Sequence, residues 1–432
     1  MARFKKTLLL GGLSLVSILP MVSVISCKND NDVTQDDITQ YIAQKDRVTS
    51  ISTSGENFSS SDVTDAIKKL QPVLITDEGN TDDKSFNQSS WEALLTVYDK
   101  TKIPVSFVKP SNYQNAYNAA LASHKKIWIL SGFKHQSPIQ KYIKQNKDAL
   151  QKEGVKIIGV DFSLDPSQLN GFSEFYGLNF KIKESAWIVG YATAKFLADK
   201  YPTDAAKRLV TSFGGGEFPG VTTFNEGFLK GLLSFAKENP SKKVIHTDEL
   251  SLNSGFELND TMATVVTKHT STNAEVILPV AGPGTFEVIK NNKTMSIIGV
   301  DVDQAVSSPE NAGRFLTSIT KGIGQAVYDV ITEIIFGNKA RTRYLQNKQA
   351  NSIISLEEGF KEGWVGYSPS HLQNEADREK MNAALKEADA KFKSFGDAKV
   401  AYINSSKATE EGADIASQSN RLTDLINAIK AA

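Results

Sequence analysis

Short apolar runs alternating with helix-patterned segments, in two successive halves, constrain this chain more than any other feature. In the first half, Pro72-Val73-Leu74-Ile75-Thr76, Val105-Ser106-Phe107-Val108, Lys126-Ile127-Trp128-Ile129-Leu130, Val155-Lys156-Ile157-Ile158-Gly159-Val160 and Phe175-Tyr176-Gly177-Leu178-Asn179-Phe180 read as buried strands. Helical spacing separates them: near Ser89 (Trp91, Leu94, Leu95, Tyr98), through Tyr113 to Ala122, through Ile139 to Leu150, and in a long run containing Trp187, Val189, Ala192 and Ala194. The second half repeats the scheme. Strand-like Arg208 to Phe213 leads through Gly214-Gly215-Gly216 into a helix from about Val221 to Lys237. Val244-Ile245-His246-Thr247 precedes a helix from about Asn259, Val276 to Val280 precedes Ala281-Gly282-Pro283-Gly284, and Ser296 to Val300 ends in Asp301. Strands apolar along their whole length predict parallel sheets covered by helices, an α/β fold. The roughly 360 residues from position 71 exceed what one core holds, so two lobes are expected, with a cleft at the carboxyl ends of their strands.

The segment after the first strand, Asp77 to Trp91, is the most informative single segment. It is polar, contains Gly79 and feeds a helix at the place where open α/β sheets bind ligands. Phe86 beside Asn87 offers an aromatic face and an amide fork, suited to a flat ring with polar edges. The plainer alternative is a solvated loop whose Phe plugs the core. Asp77, Asp161 and Asp301 each follow an apolar run, and Gly132, Gly214 and Gly282 begin other loops. Those aspartates either cap the helices that follow or accept from ligand hydroxyls and ring N–H groups. Their repeated position favours a site, and the two roles are compatible.

The N-terminus sets the compartment. Arg3, Lys5 and Lys6 precede an apolar stretch from Leu8 to Val24, which describes an export signal over 1–26. Val24-Ile25-Ser26-Cys27 resembles a bacterial lipobox, in which the cysteine is lipidated and becomes the new N-terminus. Cys27 is the only cysteine, so no intrachain disulfide forms. The alternative is an uncleaved membrane anchor. Either way the body is expected at the cell membrane on its extracytoplasmic face. Residues 27–70, rich in Ser, Thr, Asn and Asp, read as a flexible tether.

With 49 basic and 49 acidic residues the net charge is zero, and nothing favours a nucleic-acid partner. His124, His135, His246, His269 and His371 show no metal-ligand spacing, and no Gly-x-Ser-x-Gly elbow is present. Neither a metal nor a cofactor is expected.

Asp82-Asp83-Lys84-Ser85-Phe86-Asn87-Gln88-Ser89-Ser90-Trp91-Glu92, Gly190-Tyr191-Ala192, Gly214-Gly215, Val221 with Phe224, Gly227 and Phe228, Val280-Ala281-Gly282, Ile298-Gly299-Val300-Asp301-Val302-Asp303-Gln304 and Ser318-Ile319-Thr320-Lys321 occur in this order. Together, over about 72 to 335, they resemble the basic membrane protein family of substrate-binding lipoproteins, whose best-understood members are purine nucleoside receptors of ABC transporters. The resemblance implies a type I periplasmic-binding-protein fold: two doubly wound α/β lobes, three crossings and a hinged cleft. The first lobe is placed at 71–181 with about 306–340 crossing back, the second at 182–305 with about 341–375, and a helical extension at 376–432. Within that extension, Asp377 to Phe395 and Gly412 to Ala432 carry helical patterns.

It further implies a nucleoside held between two aromatic rings, Phe86 with Asn87 beside it and, in the second lobe, Phe256, with Phe218 and Phe286 as less favoured stand-ins. Asp161 matches the acidic residue that meets base or sugar, and Asp77 is a further candidate. Gly282, Asp301 and Lys321 match positions that hold ribose hydroxyls, with Asp301 expected to hold Lys321 in the cleft. The partner would be an ABC transporter permease, and the receptor is expected to act as a monomer without catalysis. Gly282-Pro283-Gly284-Thr285-Phe286 is less glycine-rich than the family pattern, and the tail beyond about 370 is longer. Alternatives from other classes are a surface nucleosidase or hydrolase, an adhesin-type surface antigen, and a receptor for another small solute such as a sugar.

Overall fold

The structure, a computed structural model, describes residues 38–432. The signal segment 1–26, Cys27 and the start of the tether lie outside the described residues. After a short helix α1 (Asp65–Lys68), the first lobe is built from β1 (Val73–Thr76), α2 (Phe86–Thr101), β2 (Ser106–Val108), α3 (Tyr113–Ala122), β3 (Ile127–Ser131), α4 (Gln136–Glu153), β4 (Lys156–Val160) and β5 (Phe175–Phe180). The chain crosses through α5 (Ile182–Lys200) into β6 (Leu209–Gly214), α6 (Pro219–Glu238), β7 (Ile245–Ser251), α7 (Asp260–Thr270), β8 (Val276–Val280), α8 (Gly284–Asn291), β9 (Ser296–Asp301) and β10 (Phe315–Lys321). It returns through α9 (Ile323–Phe336) and β11 (Ile354–Glu358), then ends in the second lobe with β12 (Val365–Tyr367), α10 (Glu375–Lys393), α11 (Asp397–Asn404) and α12 (Gln418–Ala431).

Each lobe holds a six-stranded sheet, β2-β1-β3-β4-β5-β11 in the first and β7-β6-β8-β9-β10-β12 in the second. Pairing is parallel throughout, except that β12 runs antiparallel to β10. The two orders superpose, which makes β4 and β9 counterparts. The residue after β4, Asp161, and the last residue of β9, Asp301, both turn out of the sheet with positive φ, +67° and +66°. Neither caps a helix: the next helical turn after Asp161 is capped by Asp165. The left-handed conformation disfavours most side chains, and Asp is among those that tolerate it.

The inner strands are buried because both faces are covered. Trp91, Leu94 and Leu95 of α2 pack with Val327, Val330 and Ile331 of α9 in one core. In the second lobe α5 and α6 approach closely, since a Cβ on Gly190 would fall 2.1 Å from the Phe228 carbonyl oxygen.

The lobe boundaries differ from those expected. Ile319 pairs with Val300, so the segment through Lys321 stays in the second lobe and the chain crosses back at Gly322, not near 306. Leu356 pairs with Leu178, so the chain remains in the first lobe through Glu358 rather than leaving it near 341. The strands missed in the sequence, β10, β11 and β12, are short or mixed in polarity, so periodicity did not mark them. The three crossings bind one another: Lys181 N–H donates to the Glu358 carbonyl at 2.9 Å and Gly322 N–H to that of Trp364 at 2.7 Å.

Two terminal expectations are also revised. Residues 38–70 are not a free tether but lie against the first lobe, where Arg47 bonds Asp99 at 2.6 Å and the Tyr41 hydroxyl donates to Asp99 at 2.8 Å. Their polar side chains find partners on α2 and α9 in place of an apolar core of their own. The helical extension is part of the second lobe: Met381, Leu385, Leu422 and Leu425 share its core with Trp187 and Phe228.

Candidate functional site: the interlobe cleft

The carboxyl ends of both sheets enclose a cavity with about 590 Å³ of atom-free space, part of it open to solvent. Phe86, Asn87, Asp77 and Asp161 line it from the first lobe, and Phe256, Phe218, Gly282 and Asp301 from the second.

The first-lobe wall is set by the start of α2. Ser85 occupies the cap position without making a capping bond. Asp83 does so instead: Oδ1 accepts the N–H groups of Ser85 (2.9 Å) and Gln88 (3.0 Å), and Oδ2 accepts those of Asn87 backbone (2.9 Å) and side chain (3.0 Å). Asn87 Nδ2 donates in addition to the Glu78 carbonyl at 2.8 Å, which fixes the amide so that Oδ1 is buried with no partner. A buried carbonyl without a donor is costly until something supplies one. The free face of Asn87 is therefore an acceptor for an N–H or O–H.

The second-lobe ring depends on the glycine run. Ser254 and Gly255 N–H donate to the Gly214 and Gly215 carbonyls at 3.2 and 3.0 Å, drawing the Phe256 loop onto the end of β6. A Cβ on Gly215 would lie 2.4 Å from the Phe256 ring, so only glycine leaves that ring its seat. Phe218 touches Phe256 and also stacks on Phe133 of the opposite lobe, centroids 5.7 Å apart and planes 6° off parallel. The lobes thus meet face to face at one end of the cavity.

Asp301 is buried, and its Oδ2 accepts the Ser85 hydroxyl across the cleft at 2.6 Å. Lys321 does not pair with Asp301 as expected. Its ammonium lies 2.8 Å from Asp161 Oδ2, with the Phe86 and Phe224 rings 5.3 and 5.1 Å away. The left-handed turn at Asp161 carries that carboxylate toward Lys321, whereas Asp301 is engaged by Ser85. Phe286 lies outside the cavity, on the outer rim beside Lys84. Gly282 lies against the other lobe, since a Cβ there would come 3.2 Å from that of Ser85.

The charged side chains lining the cavity are all carboxylates. Withdrawal from water pushes Asp77 up to about 7 and Asp83 up to about 6, and raises Asp301 against the opposing field of Lys321. Of the nearby ammonium groups, Lys321 is taken by Asp161 and Lys134 by Glu78. Such a wall accepts hydrogen bonds from neutral hydroxyl and N–H groups and repels phosphate. Among the described residues no cluster of three or more metal-ligating side chains is present.

Sequence reasoning missed Asp83, Ser85, Phe133 and Phe224. Asp83 was legible as an acidic residue just ahead of a helix. Phe133 followed the noted Gly132 but had no partner until the lobes were set together.

Two α/β lobes, three bonded crossings and an enclosed cleft with aromatic and acceptor walls define a two-lobed solute-binding protein of the type I periplasmic-binding-protein fold. Residues 70–400 match the family model described as ABC transporter substrate-binding protein PnrA-like, and the chain belongs to that family. It is 27% identical to Basic membrane protein A of Borreliella burgdorferi, over 74% of this chain and 86% of that one. It is 23% identical to the CD4+ T-cell-stimulating antigen of Listeria monocytogenes, over 63% of this chain and 75% of that one. A solute-binding protein of an ABC transporter system from Aeropyrum pernix K1 shares the fold, with a TM-score of 0.58 at 19% identity, covering 77% of this chain and 90% of that one.

Proposed function

We propose that this chain captures a nucleoside, with purines the expected class, and delivers it to the permease of an ABC transporter, held at the outer face of the membrane by lipid on Cys27. The reading is carried by the unpartnered Asn87 Oδ1, buried in a wall shared with the Phe86 and Phe256 rings. An acceptor beside aromatic faces suits a base with an N–H edge. Each ring contact contributes about 0.5–1.5 kcal/mol beyond area burial. Asp301 and Asp161 are the acceptors for the pentose hydroxyls, and the acidic wall selects nucleosides over nucleotides. The bound base replaces water between the lobes and holds them closed.

A ligand that copurifies with the protein, identified by mass spectrometry, tests this directly. A nucleoside is expected; a sugar or an empty cleft would end the assignment. A nucleosidase reading draws on Asp77, whose carboxyl, pushed up to about 7, suits a proton donor near neutrality. Incubation with inosine or guanosine separates the two, since a receptor releases no free base.

A further inference from the structure

We propose that residues 38–62, which precede the family-matched segment, form a strap that positions the ligand loop and so belongs to the binding apparatus; this rests on the interlobe cavity being the ligand site.

The strap reaches the loop at two points. At the first, Gln40 takes both a ring and a loop donor: its carbonyl accepts Trp91 Nε1 at 2.9 Å, and its Oε1 accepts the Thr81 hydroxyl at 2.5 Å. Thr81 is buried within the segment between β1 and α2 that carries the first-lobe half of the cavity. At the second, Val48 and Thr49 N–H donate to the two oxygens of Glu92 at 2.9 and 2.7 Å. Glu92 is fully buried, and it in turn accepts Gln88 Nε2 at 2.8 Å. Gln88 Oε1 accepts the Lys84 N–H at 3.1 Å, and Gln88 N–H donates to Asp83, the residue that orients Asn87. An unbroken hydrogen-bonded path therefore runs from strap backbone through Glu92 and Gln88 to the amide that faces the cavity.

The strap also spans the return from the hinge. Thr49 Oγ1 lies 2.7 Å from Ser89 Oγ, and Ser52 exchanges two bonds with Gln325 of α9, at 2.7 and 3.2 Å. Gly324 makes room beneath: a Cβ there would fall 2.8 Å from Thr49 Cγ2 and 2.9 Å from the Ser89 carbonyl oxygen. α2 carries Phe86 and Asn87, and α9 begins two residues after Lys321. One segment thus fixes α2, which bears the cavity residues Phe86 and Asn87, against α9, which follows Lys321.

A segment that merely covered the lobe would act on apolar surface. This one packs Ile38 there and in addition supplies the donors for Glu92. Without them a buried carboxylate loses two of its partners and pulls on Gln88, which frees the loop from Thr81 to Ser85. A loop ordered in advance leaves that ordering cost out of ligand binding.

The test uses the full chain with Gln40→Ala, Glu92→Gln, the conservative Gln40→Glu, which keeps an acceptor for Thr81, and Lys45→Ala, an exposed strap position, as control. Three quantities are measured: guanosine and inosine affinity by calorimetry, amide hydrogen exchange at 79–88 in ligand-free protein, and thermal midpoint. Gln40→Ala and Glu92→Gln are expected to speed exchange at 79–88 by roughly tenfold or more and to weaken binding roughly five- to twentyfold. Gln40→Ala should do so with a midpoint within about 3 °C of wild type. Gln40→Glu and Lys45→Ala should behave as wild type. Unchanged exchange at 79–88 in Gln40→Ala overturns the proposal, as does faster exchange with unaltered affinity. A wild-type protein that binds neither nucleoside sinks the ligand assignment alone. The exchange comparison then decides the strap, supporting it if the variants open the loop and overturning it if they do not.

Discussion

The Lys321 ammonium stands 2.8 Å from the Asp161 carboxylate, so an ion pair with side chains 2% and 9% exposed joins the last strand before the hinge to the opposite lobe. Its counterpart is the Ser85–Asp301 hydrogen bond at 2.6 Å, which runs the other way. The two aspartates occupy equivalent ends of equivalent strands, and each reaches across. Closure is thus braced from both sheets by one repeated backbone turn.

Lys321→Met strands the Asp161 carboxylate in a dry setting. Removing one partner of a buried pair costs about 3–5 kcal/mol. Thermal unfolding should register a large loss, and small-angle scattering should show a more open ligand-free particle. Asp161→Asn, which keeps an acceptor for the ammonium, should lose less. Equal stability in Lys321→Met and wild type would count against the pair as a brace.

Phe86→Ala and Asp301→Ala are each expected to weaken nucleoside binding by at least about tenfold, or 1.4 kcal/mol, measured by calorimetry. Unaltered affinity in both would remove the cavity from consideration as the nucleoside site.

Gly215→Ala places a methyl group against the Phe256 ring, 2.4 Å from its nearest carbon. The ring must leave its seat. Affinity should fall by roughly the worth of one aromatic contact or more. A crystal structure of the variant should find Phe256 displaced, whereas an unmoved ring would refute the account.

The pH dependence has a definite sign. Burial raises the Asp77 carboxyl from 3.8 to about 7 in the folded chain. A raised folded value means that the native state binds the extra proton, so this contribution is complete below about 4 and fades as pH climbs through 7. Buried His135, held down to about 3, and His246, held down to about 4, act oppositely, losing stability as pH falls below 6.5. Comparing wild type with Asp77→Asn cancels the histidines. The stability difference should move in favour of the variant between about pH 4 and 7, by at most about 1.4 kcal/mol per pH unit. A flat difference would show that Asp77 does not titrate in this range.

Glu226 is buried between Lys183 and Arg421, 2.6 Å from each, and Arg421 comes from the C-terminal helix. Glu226→Gln leaves two buried cations without their anion. Stability should drop by about 3 kcal/mol or more in chemical denaturation. The residue lies outside the interlobe cavity, so affinity in the folded variant should stay near wild type.

Much of this architecture could be read from the chain. Tyr113 to Ala122 forms the expected helix, and the strands at Ile127–Ser131 and Val276–Val280 lie where unbroken apolar runs put them. Phe86, Asn87, Asp161, Phe256, Gly282 and Asp301 all line one cavity, because strand-end loops in a parallel sheet converge there. What could not be read depended on pairing at a distance. The partner of Lys321 follows from how one lobe sits on the other, and neither Asp161 nor Asp301 signals its turn locally. The crossing at Gly322 was hidden because Phe315–Lys321 mixes Thr and Ser into an interior strand. The segment before residue 70 looked loose because its few apolar residues promise no core. Its order comes from Glu92, Ser89 and Asp99, which act as anchors only once α2 is folded.

The docking of that N-terminal segment also sets a leash length. Ile38, already buried against the first lobe, lies eleven residues beyond Cys27. Fully stretched, eleven residues reach about 40 Å at most. If Cys27 carries the acyl chains proposed for it, the protein would patrol a shell one molecule deep over the bilayer, where a permease mouth would meet it at an effective concentration of order millimolar. Cargo capture and hand-over would then take place within a single tethered neighbourhood, and diffusion through bulk fluid would drop out of the journey.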